Sequence, residues 1–248
     1  MEFSYDGADY SGLYGGNSSP SIVSAIEKAL LPLKEIISVI GFAGRTDAGV
    51  HASAQVLVFD LLRPLSLSQL LSVLERSTPS SISIAQLVPV SSVFHPRGSA
   101  RYRQYAYWVS DSLLPIPFRR FVSSHHRVLS LDAMKAACSQ LIGLHDFSGF
   151  SCRGSHVKTP LKWVMSCDIT SLKLRNFWSD ISVPVYQFRM VATSFLYRMV
   201  RSIMSGILSV GDGSLSLSAF VDQLNQVNRS SRLGVSPACG LVFEKVYY

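Results

Sequence analysis

Strand-like and helix-like segments alternate along the chain, and this alternation constrains its fold more than any other feature. Strand-like segments, rich in β-branched or aromatic residues, lie in the first hundred residues at 1–7, 56–60 and 81–90. Segments with apolar side chains at helical spacing lie between them, at 21–33 and 65–77. Ser21, directly after Pro20, is a favourable first residue for the earlier helix. This order predicts a compact unit in which helices pack on a sheet.

A similar order of elements follows after residue 99. Strand-like segments lie at 100–110, 162–174, 183–192 and 240–248. Helical segments lie at 130–145, 193–211 and 216–227. We expect the helix over 130–145 to stop at Gly143, and the next helix to be capped by Thr193 and to end at Gly211. The sequence therefore predicts an α+β protein with two similar halves, residues 1–98 and 99–248.

An excess of basic side chains indicates a polyanionic partner. Lys and Arg total 23 against 16 Asp and Glu, which gives a net charge of +7. Basic surface attracts phosphate regardless of sequence, so RNA or DNA is a better candidate than a membrane. The alternative is a basic protein without such a partner. Candidates for a phosphate-binding surface are Arg97, Arg101, Arg103, Arg119, Arg120, Lys158, Lys162, Arg198, Arg229 and Arg232.

Neither a structural metal nor a disulfide framework is expected. The four cysteines are far apart and contain no CxxC pair: Cys138, Cys152, Cys167 and Cys239. The nearest approach to a metal-ligand cluster is interpreted as ordinary polar loop residues: His145, Asp146, Cys152 and His156. The first residues lack the features of a signal peptide, and no run of about 18 apolar residues is present to span a bilayer. We therefore expect a soluble cytoplasmic protein with free thiols, no membrane partner and no metal.

Asp47 is the carboxylate that most invites a chemical interpretation. It lies in the segment GRTDAGVHA, directly before the strand-like residues 56–60. Asp before a small residue and Gly is a common turn signal, so a purely structural turn is one interpretation. Arg45 and His51 flank the turn with polar groups that a plain hairpin does not require. A strand beneath the loop would hold such side chains out over a sheet, which favours a functional site.

The segment GRTDAGVHA resembles, without a gap, the signature of the bacterial tRNA pseudouridine synthase A family. Further segments similar to that family occur in family order, so that the resemblance covers nearly the whole chain: YDGADYSG, FHPRGSARYRQYAYWV, HDFSGF, TPLKWV, FLYRMVRSIMSGILSVG and GLVFEKVYY. The resemblance implies the pseudouridine synthase fold, in which two similar α/β halves share a mainly antiparallel sheet with helices packed on it and a central active-site cleft. It also implies an RNA isomerase that needs no cofactor.

The resemblance further implies the substrate and the assembly. Similar enzymes convert uridine to pseudouridine at positions 38, 39 and 40 of the tRNA anticodon stem-loop, and they bind one tRNA across a homodimer. The target base must be flipped out of the stem to reach a carboxylate. Arg45 resembles the family arginine that fills the vacated space or supports the displaced strand. Pairing with Asp47 and binding to phosphate are the alternatives for Arg45, and His51 is a further candidate for substrate binding.

Three residues are assigned catalytic roles by the resemblance. Asp47 matches the family's catalytic aspartate, as nucleophile or as base. Tyr105 matches the active-site tyrosine, whose ring would stack on uracil while its hydroxyl handles a proton at C5. On pattern alone, Tyr105 and Tyr107 share one face of a strand, and burial in the core is the other interpretation. Tyr107 is expected to pack in the core.

Arg201 lies at the margin of a largely apolar helical segment. A helix of this kind is mostly buried, and an arginine at its edge is costly unless a carboxylate or phosphate meets it. The alternative is that the side chain extends to solvent. In the resembled family this arginine pairs with the catalytic aspartate and would keep Asp47 ionised.

The sequence departs from the family at its N-terminal end. Leu13-Tyr14 stands where a Trp-Gln pair is common, and Val23 stands where a Gln is usual. These changes lie in a segment that is expected to contact RNA or to shape the dimer, so they affect local contacts with tRNA rather than the chemistry.

Two other functional classes compete with the isomerase. The first is a non-catalytic tRNA-binding protein or chaperone of the same fold, which would not need Asp47, Tyr105 and Arg201 together. The second is a glycoside hydrolase, which usually needs two facing carboxylates. No other acidic residue is spaced to pair with Asp47, so the isomerase is the preferred interpretation.

Overall fold

A computed structural model describes residues 1–15, 20–152, 159–175, 182–226 and 234–248. The described α-helices are α1 (Ile22–Leu30), α2 (Leu67–Ser77), α3 (Leu131–Ser139), α4 (Met199–Gly211) and α5 (Leu217–Leu224). The described strands are β1 (Glu2–Tyr5), β2 (Ile37–Phe42), β3 (His51–Leu61), β4 (Ile82–Gln86), β5 (Tyr102–Ser110), β6 (Ser123–Ser124), β7 (Gly143–Asp146), β8 (Leu161–Arg175), β9 (Ser182–Ala192) and β10 (Leu241–Tyr247).

The chain forms two compact units. The first comprises Met1–Arg103 together with Val242–Tyr248, and the second comprises Gln104–Leu241. The two halves predicted from the sequence, 1–98 and 99–248, stay a prediction. The end of the chain folds with the first unit because β10 pairs in parallel with β3, at Val242 opposite His51.

In the first unit, four strands follow the order β4-β1-β3-β10, and a fifth strand, β2, pairs with β3. Both neighbours of β1 run antiparallel to it, and β2 runs antiparallel to β3. The fully buried side chains of this unit include residues of β1, β3 and α1: Phe3, Leu57, Ile22 and Ile26. Burial of apolar surface of this kind is the main stabilising contribution to such a unit.

Serine side chains fix where the two helices of the first unit begin. Ser21 caps α1: its Oγ accepts a hydrogen bond from the Ser24 N–H, and the Ser24 hydroxyl accepts one from the Ser21 N–H, both at 3.0 Å. Ser66 and Gln69 form the same reciprocal capping box on α2. Each box satisfies two backbone donors that the helix leaves unpaired. The prediction that the first helix starts at Ser21 is confirmed.

The second unit contains strands in the order β5-β9-β8-β7, and β6 pairs in parallel with β5. The pairs β7–β8 and β8–β9 are antiparallel, and the latter continues to Arg175 opposite Ser182. α3 packs on β8 and contacts both α4 and α5. An apolar cluster at the start of β9 includes Val183 and Val185, and Trp108 of β5 packs against it. The pairings of both units confirm the prediction of an α+β protein with mainly antiparallel strands.

Two predicted helix boundaries are wrong. α4 begins at Met199 rather than after Thr193. Thr193 instead continues the strand pairing, since its N–H donates to the Trp163 carbonyl and its Oγ1 accepts from the Trp163 N–H. α3 ends at Ser139 rather than at Gly143, which has a φ of +115° and pairs opposite Val164 as the first residue of β7.

Strands β2, β6 and β7 have no counterpart in the predicted elements. β2 lacks the alternation of buried and exposed residues that marks a strand, because three successive residues, Ser38, Val39 and Ile40, are exposed. Among the described residues, no helix has both the length and the apolar character needed to cross a membrane.

Candidate active site

Asp47 lies in the loop that joins β2 to β3 in the first unit. The Asp47 carbonyl accepts a hydrogen bond from the Val50 N–H at 3.2 Å, and Gly49 has a φ of +76°. The turn that the Asp-Ala-Gly sequence predicts is therefore present. The Asp47 side chain is only half-buried, so a turn in the backbone and a chemical role for the carboxylate are compatible.

A second segment, Tyr10–Tyr14, holds the Asp47 loop in place. The Leu13 N–H donates to the Thr46 carbonyl at 3.1 Å, and the Gly49 N–H donates to the Tyr10 carbonyl at 3.2 Å. These two hydrogen bonds hold the loop on both sides of Asp47, at Thr46 before it and at Gly49 after it. The loop that carries the candidate catalytic carboxylate is thus braced by backbone contacts rather than left as a free hairpin.

The side chain of Tyr5 supports the same loop from within the core. Its hydroxyl lies 2.7 Å from Thr46 Oγ1, and both residues are buried. Burial raises the pKa of Tyr5 to about 12, although hydrogen bonds with Thr46 and Gln55 act in the opposite direction. Tyr5 therefore stays protonated at neutral pH, as a hydroxyl that bonds Thr46 directly before Asp47.

Substitution of Gly12 is expected to loosen this bracing. Gly12 has a φ of +94°, and a Cβ there would lie 2.7 Å from the Thr46 carbonyl oxygen. Gly213, with a φ of +75° and nothing within 4 Å of such a Cβ, is a matched control for backbone strain alone. Strain of this kind costs on the order of 1–3 kcal/mol, and the collision adds about 1–3 kcal/mol at Gly12.

Thermal unfolding measures the difference between the two variants. We expect Gly12→Ala to lower Tm about 2–12 °C further than Gly213→Ala, given a shift of about 2–4 °C per kcal/mol for a chain of this size. Equal Tm values for the two variants would show that Gly12 does not press against the Asp47 loop.

Arg45 stacks on an aromatic side chain beside the loop. Its guanidinium carbon lies over the Tyr14 ring, 5.2 Å from the ring centroid. The Tyr14 ring in turn meets Phe42 edge-on, with centroids 6.0 Å apart. Arg45 is exposed, and no ion pair joins it to a carboxylate among the residues that the structure describes. Sequence reasoning missed this contact, although it had noted Tyr14 as a departure from the family.

His51 is the first residue of β3 and is buried. Its Nδ1 lies 3.1 Å from the Gly7 backbone nitrogen and 3.1 Å from Asp6 Oδ1. A neutral ring with an unprotonated Nδ1 accepts from the Gly7 N–H, whereas a protonated Nδ1 donates to Asp6. Either state links β3 to the Asp-Gly turn after β1. Substrate binding by His51 stays a prediction.

Tyr105 lies on β5 in the second unit. It is 8% exposed, and its ring meets Phe195 edge-on with centroids 4.8 Å apart. Tyr107, two residues further on, is fully buried, and its hydroxyl donates to the Pro237 carbonyl at 3.0 Å. Burial raises the pKa of Tyr107 well above the usual tyrosine range. The prediction that Tyr107 packs in the core is confirmed, whereas Tyr105 keeps a small accessible surface.

Arg201 lies in the first turns of α4, also in the second unit. It is half-buried, whereas the residues Met199, Val200 and Ile203 around it are buried. Its Nε donates to the Ser236 carbonyl at 2.7 Å, and its own carbonyl accepts from the Ser236 N–H at 3.1 Å. These two bonds fix the guanidinium at the margin of the helix, and sequence reasoning gave no sign of the Ser236 contact.

The candidate phosphate-binding residues differ in exposure. Those that are exposed are Arg97, Arg101, Arg119, Arg120 and Arg198. Arg103 is half-buried and donates to the carbonyls of Arg97 and Ala100. Lys162 is 4% exposed, and its Nζ donates to the Thr159 carbonyl at 2.7 Å, so it is not a surface cation. Three candidates lie outside the described residues: Lys158, Arg229 and Arg232.

The described residues contain no group of three or more His, Cys, Asp or Glu side chains arranged to hold a metal ion. His145 Nε2 lies 3.1 Å from the Ile142 carbonyl, and Asp146 accepts from the Ser148 N–H. His156, the fourth member of the loop cluster considered above, lies outside the described residues.

Comparison with known proteins gives consistent matches. The family model described as tRNA pseudouridine synthase matches residues 137–248. The tRNA pseudouridine synthase A of Borreliella burgdorferi (strain ZS7) is 32% identical, with 100% of this chain and 97% of the relative covered. The tRNA pseudouridine synthase A of Lactococcus lactis subsp. cremoris (strain SK11) is 30% identical, with 98% and 94% covered. The similarity thus extends over both units.

Proposed function

Because the chain belongs to the tRNA pseudouridine synthase A family, we propose that it converts uridine to pseudouridine at positions 38, 39 and 40 of the tRNA anticodon stem-loop. The chain is a tRNA pseudouridine synthase, which is an isomerase. The observation that carries the proposal is the similarity to synthases of this name from one end of the chain to the other. The choice of tRNA positions 38, 39 and 40 comes from the resemblance of GRTDAGVHA, and of the other segments quoted above, to the family.

The reaction moves the base without any net change in composition. The bond between uracil N1 and ribose C1′ breaks, and a bond between C5 and C1′ forms. A proton leaves C5 and N1 gains one, so the atoms and electrons balance within the substrate. The protein has to supply a group that assists bond breaking, a way to hold the detached base, and a path for the proton.

Asp47 is proposed as the group that assists bond breaking, as nucleophile or as base. Its loop is braced on both sides by hydrogen bonds to Tyr10 and Leu13, and a fixed carboxylate loses little free energy to reorganisation during the reaction. Arg201 is proposed to pair with Asp47 and keep it ionised.

Tyr105 is proposed to hold the base and to handle the C5 proton. Its edge-on contact with Phe195 fixes the ring, and a fixed aromatic ring is a suitable platform for an unstacked base. Arg45 is proposed to contact the RNA from which the base is extruded, since it is exposed two residues before Asp47.

Modification of defined transcripts tests the proposed function. Unmodified tRNA is incubated with the protein, labelled with a pseudouridine-specific reagent and sequenced. We expect label at positions 38, 39 and 40 where these are uridines. A protein that binds the transcript and leaves it without label would be the non-catalytic tRNA-binding protein, and label confined to other positions would overturn the choice of substrate region.

A homodimer in the cytoplasm is also proposed, from the same resemblance. Support for a protein partner comes from a strip of apolar residues on one face of β7 and β8, each between 44% and 63% exposed: Leu144, Leu161, Trp163 and Met165. Leu144 lies directly opposite Trp163, so the residues are contiguous. Contiguous exposed apolar surface usually marks an interaction site. The four cysteines are free thiols, as a reducing compartment would keep them.

A charge placed in this strip is expected to separate the subunits. Light scattering should give the wild type twice the mass of one 27.3 kDa chain and give Trp163→Glu a mass near one chain, because a buried unpaired carboxylate opposes association. Val128→Glu, at a residue that is 86% exposed and outside the strip, is the matched control and should stay dimeric. A single-chain mass for the wild type would defeat the dimer, and a dimeric Trp163→Glu would defeat this choice of surface.

A further inference from the structure

We infer that Tyr14 is a positioning residue that holds the guanidinium of Arg45 toward the RNA, an inference that rests on the proposed function. The contact itself is direct: the guanidinium carbon lies 5.2 Å from the centroid of the ring and over it. A cation over an aromatic face is attracted by the negative face of the ring. The Gln that the family resemblance leads us to expect at this position would offer no such face.

The backbone around Tyr14 is anchored on two sides. The Leu13 N–H donates to the Thr46 carbonyl at 3.1 Å, within the Asp47 loop, and the Leu13 carbonyl accepts from the Val23 N–H at 2.9 Å, at the start of α1. The Leu13 side chain is completely buried. Tyr14 therefore projects from a fixed point, one residue beyond the bond that joins its segment to the loop of Arg45 and Asp47.

The ring of Tyr14 is also fixed in orientation. It meets Phe42 edge-on at an interplanar angle of 81°, and Phe42 is 6% exposed at the end of β2. Tyr14 itself is 47% exposed, so the ring reaches from the buried Phe42 to the surface. A rigid aromatic ring with one end in the core and the other in solvent is suited to support a second side chain.

An exposed arginine without this support would lose more conformational freedom when it binds RNA. Arg side chains have many rotamers, and restricting them before binding lowers the entropic cost of association. No carboxylate forms an ion pair with Arg45 among the described parts of the chain. The Tyr14 ring thus restrains the guanidinium without neutralising its charge, and its exposed donors stay accessible to RNA.

A double-mutant cycle between Tyr14 and Arg45 tests the inference. KM and kcat are measured with an unmodified tRNA transcript, and Kd for the same transcript is measured separately. Tyr14→Ala is expected to raise KM and Kd roughly two- to fivefold, the factor that a cation–π contact at an exposed site is worth. The value of kcat should stay near that of the wild type, because Tyr14 is inferred to act through Arg45 and not on the reacting atoms.

Two single substitutions separate the ring face from general packing. Tyr14→Phe keeps the aromatic face and should retain the KM of the wild type. Tyr14→Leu keeps apolar volume without the aromatic face, so its KM should resemble that of Tyr14→Ala. In an Arg45→Ala background, Tyr14→Ala should have no further effect on Kd. An equal effect with and without Arg45, or a wild-type KM for Tyr14→Leu, would overturn the inference.

Failure of this inference is distinguishable from failure of the proposed function. If the wild type forms no pseudouridine at the proposed positions, the cycle still reports the coupling through Kd. If the wild type is active and the two residues show no coupling, the proposed function stands and the role of Tyr14 does not.

Discussion

Replacement of Asp47 by alanine is expected to abolish pseudouridine formation while the variant still binds tRNA. The resemblance assigns no second carboxylate to the reaction, so nothing in the chain is expected to replace a lost nucleophile or base. Removal of such a group from other enzymes lowers kcat on the order of 10⁴- to 10⁶-fold. Affinity should change little, because contacts with phosphate supply most of the free energy of binding to tRNA.

Folding should not obscure this result. Asp47 is half-buried, and the described bonds that brace its loop use backbone groups of Tyr10, Leu13, Thr46 and Gly49. Asp47→Ala is therefore expected to keep the fold of its loop and to lose only the stability that the proposed pair with Arg201 contributes. Asp60→Ala, at an exposed aspartate on β3 of the same unit, is the matched control and should keep full activity. Measurable turnover by Asp47→Ala, beyond traces of contaminating enzyme, would contradict the assignment of the catalytic residue.

Tyr105→Phe is expected to lose most of its activity at the proton-transfer step. The change removes only the hydroxyl and leaves the ring against Phe195, so stacking on the base should survive. Loss of a positioned acid or base typically lowers the rate by about 10²- to 10⁴-fold. Single-turnover kinetics should therefore show a slow step after substrate binding, with Kd for tRNA unchanged.

Tyr107→Phe separates this effect from a general effect on β5. Tyr107 lies on the same strand and is fully buried, but its hydroxyl donates to the Pro237 carbonyl. Loss of this hydroxyl should reduce stability by about 0.5–1.5 kcal/mol, the net contribution of one hydrogen bond, and should leave kcat nearly unchanged. If Tyr105→Phe turned over at the wild-type rate, only a stacking role would remain for Tyr105.

The periodicity of the sequence predicts the helices better than it predicts their ends. Ser21 is a correct start for α1 because its capping box is local in sequence. Thr193 has the same capping chemistry, but its backbone and hydroxyl bond Trp163 on β8, thirty residues away. Such a partner is set by tertiary structure, so the first turn predicted for α4 forms sheet pairing and a loop instead.

The candidate site shows the same limit. The Asp47 turn is readable from the spacing of Asp and Gly, and its chemical role from a family resemblance. The stacking of Arg45 on Tyr14 joins residues 31 positions apart, and the bond from Arg201 to Ser236 joins residues 35 apart. No local pattern encodes either contact, since each depends on how the first unit or the second unit folds back on itself.

The structure of the Asp47→Asn variant bound to an anticodon stem-loop would test the central claim most directly. The substitution keeps the shape of the side chain and removes its charge, so the substrate should stay unreacted. We predict an extruded uridine whose ribose lies about 3–3.5 Å from the side chain at position 47, with the uracil ring against Tyr105. A target uridine still stacked in the stem, or an extruded one bound far from position 47, would contradict it.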